Sequence, residues 1–164
     1  MNVTITVNTS QFDQTLSRFP GALERAKTQA LKDIGAAVVS RATQAFRTPA
    51  MRPSPWAPRK PTYTVTVNKK TGKKTRKLDD HPLLIKSGAL RQSIFWFKIH
   101  GDDSVTIMSD RKYAGYHQTG TKNMPARPFL PVDANGNLVP AMQRKIEKIV
   151  IEDYADEVRK MRGG

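Results

Sequence analysis

The sequence predicts an α+β fold, with a small, mostly antiparallel sheet packed with a long N-terminal helix and a C-terminal helix. Two kinds of periodicity carry this prediction. Apolar and polar residues alternate near the N-terminus and over 62–67, whereas apolar residues recur at helical spacing over 21–46 and 138–161. The 164 residues suit one domain, since domains usually run to about 100–200 residues. We therefore expect a single domain over 1–164.

The N-terminal elements follow directly from this periodicity. Alternation over Val3–Val7 predicts a strand at about 2–8. Ser10 is placed to N-cap a short helix that ends near Phe19. After a Pro-Gly pair, apolar residues at every third or fourth position predict a long helix over about 21–46.

The middle of the chain, residues 47–78, combines a proline-rich connector with a hairpin arm. Five prolines between Thr48 and Pro61 exclude a helix or a central strand there. Alternation over 62–67, a turn around Gly72 and a lysine-rich return predict a β-hairpin. With limbs of about nine residues the arm would be about 30 Å long, twice the radius of gyration of roughly 15 Å for such a chain. We therefore expect the arm to project.

The C-terminal half supplies the rest of the sheet and the last helix. Ser87 is expected to N-cap a short helix, and a second hairpin should form the centre of the sheet. An extended piece with two prolines suits a sheet edge. The predicted elements are a helix over 88–92, strands over 94–99 and 105–109, a short helical segment over 113–118, the extended piece over 127–132 and a helix over about 138–161.

The net charge of +14 is concentrated in one segment. Residues 47–78 carry ten basic side chains and no acidic one, and so account for +10 of the total. The rest of the chain is nearly balanced, which disfavours a surface that is basic all over. The absence of cysteine excludes disulfides, thiolate nucleophiles and cysteine-based metal sites. No apolar run approaches the ~20 residues of a membrane span, so we expect no membrane partner.

No constellation in the sequence indicates catalysis, a metal or a cofactor. Gly115–Lys122 has the glycine spacing of a phosphate loop, but its lysine and hydroxyl residue stand in the wrong order. His117 has no neighbouring ligand, and His81 and His100 lie in separate segments, so structural histidines are expected. Adjacent aspartate pairs suit turns better than acid–base chemistry. The prediction is a non-enzymatic protein with no catalytic, cofactor-binding or metal-ligating residue.

Two interpretations of the arm stay open. Its cations could clamp phosphates or an acidic protein surface, or they could form a solvated tip that discourages edge-to-edge aggregation. Because an isolated ribbon is marginal in water, we expect a neighbouring chain to cover its apolar face. No aromatic residue follows Tyr63 in the arm, so any contact with DNA should be independent of base sequence. The apolar face is Tyr63, Val65 and Val67, and the cations are Lys69, Lys70, Lys73, Lys74, Arg76 and Lys77.

Four segments follow one another in a specific order, WAP from Trp56, HPLLIKSGALRQSI from His81, YAGYHQTG from Tyr113 and PARPFLPV from Pro125. Together they resemble the phage virion morphogenesis family, the tail completion proteins of contractile-tailed phages. The insertion between Trp56 and Leu83 is variable in the pattern, so the task of the arm does not transfer from the resemblance. The family pattern falls on Trp56, Leu84, Ser87, Gly88, Leu90, Tyr113, Ala114, His117, Gln118, Gly120, Ala126, Arg127, Pro128, Phe129 and Leu130.

The resemblance implies a structural protein that acts late in virion assembly, at the end of the tail that meets the head. It implies no catalytic role for the motif residues. Subunits in head-to-tail contact close into a ring where the rotation permits, and a hexameric ring would match the symmetry of a tail. The expected partners are other copies of the chain, tail tube, tail terminator or head connector proteins, and genomic DNA in the channel. We expect assembly in the host cytoplasm and a final position at the neck of the virion. The alternative is a DNA-binding protein whose lysine-rich hairpin grips duplex phosphates.

Overall fold

The computed structural model describes residues 2–6, 18–79, 81–98 and 103–162. The predicted α+β fold is confirmed, with a three-stranded sheet, a separate two-stranded hairpin and two long helices. Most of the short helix expected after Ser10 lies outside the described residues. The elements are β1 Asn2–Thr6, α1 Pro20–Ala45, a 3-10 turn Pro49–Met51, β2 Tyr63–Val67, β3 Lys74–Leu78, α2 Ala89–Gln92, β4 Ile94–Phe97, β5 Ser104–Ser109, α3 Ala114–Thr119 and α4 Pro140–Arg162.

The three-stranded sheet is antiparallel, with strand order β1-β5-β4. β5 is therefore the central strand, and Ile5 pairs with Val105 while Trp96 pairs with Ile107. Alternate residues of β4 and β5 point to one face, where they meet α1. Gly35 makes this contact close, because a Cβ there would come within 2.5 Å of the Trp96 ring.

The hydrophobic core lies between the sheet, α1 and α4. Residues spaced by three and four positions on each helix form one apolar stripe, which is buried as the sequence predicts. Arg25 of α1 and the buried Glu157 of α4 form an ion pair at 2.6 Å, and hydrogen bonding to Arg25 holds the pKa of Glu157 below its usual value. No helix in the described ranges is both long and apolar enough to cross a bilayer. The core includes Ala26, Ala30, Ile34, Val38 and Ala42 of α1, and Met142, Ile146, Val150 and Tyr154 of α4.

Two predictions about the sheets are wrong in detail. The hairpin strands β2 and β3 have five residues each, not nine, because residues 68–73 form the connecting loop and Pro61 precedes the first strand. At roughly 3.3 Å per residue the paired ribbon is about 17 Å long. The segment 127–132 is not a strand, since two of its residues are prolines without an N–H group and only an isolated bridge joins Val132 to Leu138.

The start of the short helix α2 also differs from the prediction. Gly88, and not Ser87, is the N-cap, and its φ of 70° lies in the left-handed region that favours glycine. The hydroxyl of Ser87 instead accepts a hydrogen bond from the Ala89 N–H at 3.3 Å. Ser87 therefore supports the turn from the position before the cap.

Candidate functional site

The motif residues in the second half of the chain form one cluster where two proline-rich segments meet. One segment is the connector after the 3-10 turn, and the other is 125–132. Their prolines leave few backbone N–H groups for pairing, so side chains make the connections. The side chains that make these connections are Gln118, Trp56 and Arg127.

Gln118 is the partner of the 125–132 backbone. This side chain is 7% exposed, on the inner side of α3. Its Oε1 accepts hydrogen bonds from the N–H groups of Phe129 at 3.0 Å and Leu130 at 3.1 Å, and its Nε2 donates to the Leu130 carbonyl at 3.5 Å. One amide thus satisfies backbone groups that a neighbouring strand would otherwise satisfy.

Trp56 ties the connector to the same segment. Its indole N–H donates to the Pro128 carbonyl at 2.7 Å. Its ring lies edge-on to Phe46 at 5.8 Å, and Phe46 in turn contacts Phe129 at 5.4 Å. The guanidinium of Arg52 lies over the indole at 4.0 Å, a cation–π distance. The three rings therefore close one end of the core.

Arg127 makes a second link between the two segments. Its backbone N–H donates to the His117 carbonyl at 2.6 Å, and its side chain donates to the carbonyls of Ala57 at 3.1 Å and Pro58 at 3.4 Å. The residue is 9% exposed, and it forms no ion pair with any residue that the structure describes. Its donors serve backbone carbonyls and hold the connector in place.

Gly120 allows α3 to turn sharply into the loop that leads to Arg127. Its φ is 77°, and a Cβ would lie 2.8 Å from the Ala126 nitrogen and 3.0 Å from the Met124 oxygen. Any larger residue would clash with backbone that cannot move away. Glycine is therefore required at position 120 because two parts of the loop backbone approach each other closely. This requirement explains the glycine without a phosphate-binding loop.

His117 is half-buried beside this cluster. Its ring lies edge-on to Tyr113 at 5.8 Å. Burial, with a smaller contribution from the charge of Arg127, lowers the pKa of His117 below its usual value. The imidazole is therefore neutral at pH 7. Among the described residues, no group of three or more histidine and carboxylate side chains is arranged to hold a metal ion.

The remaining motif residues support the core and its turns. Leu90 is 4% exposed, Ala114 is fully buried at the start of α3, and Leu84 packs against the core with a left-handed φ of 62°. Sequence reasoning did not single out Phe46 and Arg52, although both contact Trp56. The spacing of Phe46 from Ala42 and Val38 continues the apolar stripe of α1 and could have revealed it.

The hairpin side chains are exposed on both faces. Tyr63, Val65, Val67 and Leu78 are each about half exposed, at 52, 50, 49 and 51%. The base of the hairpin is held by Arg59, which donates to the Asp79 carbonyl and approaches its carboxylate at 3.5 Å. Within the described residues the Arg76 guanidinium lies over the Tyr63 ring at 5.2 Å, and the apolar face otherwise stays half exposed.

A second exposed apolar surface lies on β4. Because side chains alternate along a strand, Trp96 faces α1 while Phe95 and Phe97 face outward, 43% and 37% exposed. A shallow cleft of about 480 Å³ also opens at the C-terminal end of α1. It contains no carboxylate or histidine that could act as acid or base, being lined by Thr43, Gln44, Arg47, Thr48, Arg91, Gln92 and Ile94.

The fold and the cluster together define a small α+β protein in which Gln118, Trp56 and Arg127 bind backbone groups of the chain itself. Two of its strand surfaces carry exposed apolar side chains. The chain belongs to the phage virion morphogenesis family, whose model matches residues 7–152. This family is structural, which associates the chain with the virion. No curated protein and no solved structure matches the chain.

The aromatic end of the core yields a stability prediction. Phe129→Ala should lower the free energy of unfolding by about 3–5 kcal/mol, because the ring is fully buried against Phe46. The matched control is Phe95→Ala on the exposed face of β4, which should cost far less. Urea titration of both variants measures the difference, and equal losses would contradict the burial of Phe129.

The histidine yields a pH prediction. Because the pKa of His117 is lowered in the folded chain, the unfolded chain takes up a proton first as the pH falls. The contribution of neutral His117 to the free energy of unfolding is complete above the unfolded-state pKa of about 6.5. It is lost as the pH falls from there towards the folded-state pKa. His117→Asn should therefore flatten the fall in unfolding free energy between about pH 7 and pH 5. Denaturant titrations at several pH values measure the unfolding free energy. The same slope of this free energy against pH for both proteins would show that His117 does not contribute to it.

Proposed function

We propose that this chain completes the phage tail and joins it to the head, acting without catalysis as a subunit of a ring at the neck of the virion. Membership of the phage virion morphogenesis family is the observation that carries the proposal. The motif cluster supports it, because Gln118, Trp56 and Arg127 are occupied with backbone groups. Such residues build a rigid unit for contact with other proteins. Assembly takes place in the host cytoplasm.

The ring is a proposal that rests on two exposed apolar surfaces. A head-to-tail contact needs two different surfaces on each subunit, and it closes into a ring when the rotation permits. The hairpin face around Val65 and the β4 face around Phe97 meet this need, since each is apolar, exposed and built on strands. Six copies would match the symmetry of a contractile tail. Tail tube, tail terminator or head connector proteins would lie on the two sides of the ring.

The function is tested by removing the protein. Phage particles assembled without it should accumulate as filled heads and separate tails, because the joint between them is missing. Electron microscopy of lysates and a plaque assay measure the outcome, and supplying the chain from a plasmid is the control. Joined, infectious virions in its absence would refute the proposed function.

The hairpin contact is tested by a deletion. Removing residues 64–76 and bridging the limbs with a short glycine linker should reduce the oligomer mass in solution, because the apolar face of β2 no longer covers a neighbour. The deletion starts and ends in exposed strands, so the core between α1, α4 and the sheet stays intact. Light scattering measures the mass. An unchanged oligomer that still completes tails would show that the hairpin is only a solvated loop.

A further inference from the structure

The strand register divides the hairpin into two different faces. Residues directly opposite each other in an antiparallel pair point to the same side. Val65 pairs with Arg76 and Val67 pairs with Lys74, so the apolar side chains share one face with two cations. Thr64 pairs with Lys77, and Thr66 pairs with Thr75. The second face is therefore made of three hydroxyl groups and a lysine, and we call it the threonine face.

The loop of the hairpin adds three more lysines at one end of the ribbon. Lys69, Lys70 and Lys73 are exposed, and neither they nor Lys77 pair with an acidic side chain of the described residues. No acidic residue occurs anywhere from 47 to 78. The charge of this surface is therefore not compensated within the described chain, and it needs an anionic partner.

The loop is held in one conformation by its first residue. The Asn68 side-chain oxygen accepts hydrogen bonds from the N–H groups of Lys70 at 2.9 Å and Thr71 at 3.2 Å. The Asn68 backbone also bonds to Lys73 at 2.9 Å and to Gly72 at 2.8 Å. The lysines therefore start from fixed backbone positions, which lowers the entropy lost when they bind.

We propose that the threonine face and the lysines of the loop bind the phosphate backbone of double-stranded DNA. Lysine and threonine side chains both donate hydrogen bonds to phosphate oxygens, and a two-stranded ribbon fits the width of a DNA groove. The strands of this face carry no arginine, asparagine or glutamine, the side chains that make the common bidentate contacts with base edges, so we expect phosphate contacts to dominate and binding to depend little on base sequence.

The density of negative charge favours DNA over an acidic protein surface. With both strands counted, a duplex carries one charge per ~1.7 Å, so the length spanned by a ribbon of about 17 Å contains about ten phosphates. A folded protein with carboxylates at that density would be destabilised by their repulsion. The apolar face points the other way and stays available to a neighbouring subunit. The inference goes beyond the proposed function and does not depend on it.

Fluorescence anisotropy of the purified chain tests this inference. Labelled duplexes of about 20 base pairs and of two unrelated sequences should bind equally well, with an affinity that falls between about 50 and 200 mM salt. The triple variant K69A/K70A/K73A should reduce the slope of log affinity against log salt by up to about 2.7, which is about 0.9 for each lost phosphate contact. The control R144A/K145A/K148A removes the same charge from the exposed side of α4 and should leave the slope unchanged.

A second pair of variants tests the face. Thr64→Val combined with Thr66→Val removes two hydroxyls but keeps the shape and strand preference, and it should weaken binding several-fold. Val65→Thr on the opposite face should not. The inference is overturned if the two triple variants lose affinity equally, if the valine variant binds as well as the parent, or if polyglutamate of equal charge displaces the DNA. Binding is measured on the isolated chain and head–tail joining on particles, so the two proposals fail separately.

Discussion

The structure depends on how two segments that cannot form strands are held side by side. Prolines at 53, 55, 58 and 61 in the connector, and at 125, 128 and 131 in the later segment, remove backbone donors that a sheet would use. Buried carbonyl and N–H groups without partners would cost about 1–3 kcal/mol each. Gln118, Trp56 and Arg127 supply those partners from side chains, at distances of 2.7 to 3.5 Å. The specific geometry of these three residues takes the place of a repeating ladder of backbone hydrogen bonds.

This arrangement also explains where the hairpin can be exposed. The connector leads into β2, and it is fixed to the core through Trp56 and through the carbonyls that Arg127 binds. Arg59 and Asp79 then join the two ends of the hairpin. The ribbon therefore starts from a rigid base, although its own side chains contribute little to the core. A ribbon that carries both charged and apolar side chains can therefore be exposed without a loss of stability in the rest of the domain.

The sequence predicted those elements whose pattern is local and periodic. Alternation located β1 and the β2–β3 hairpin, a polar segment between two strand-like stretches located the β4–β5 pair, and helical spacing located α1 and α4 to within a few residues. Side-chain contacts over long sequence separations carry no such signal, so the role of Gln118 and its link to Leu130 could not be derived from spacing. The segment 127–132 was predicted as an edge strand because its residues are apolar and extended, but whether a partner strand exists is a tertiary property. Ser87 illustrates the same limit, because a local pattern locates a helix end only to within one or two residues, and here the N-cap is Gly88.

The distribution of charge relates the fold to assembly in a way that total charge does not. Six cations lie on the hairpin and its loop, at Lys69, Lys70, Lys73, Lys74, Arg76 and Lys77, so this short ribbon carries +6 of the net +14 without an acidic residue. The strongly basic part lies on a ribbon that is separate from the three-stranded sheet and the two long helices. The apolar face of the ribbon can therefore contact a neighbouring copy while Lys77 and the lysines of the loop stay available to an anion. Separating the two faces of the ribbon reduces the conflict between self-association and attraction to an anion, and only Lys74 and Arg76 share the apolar face.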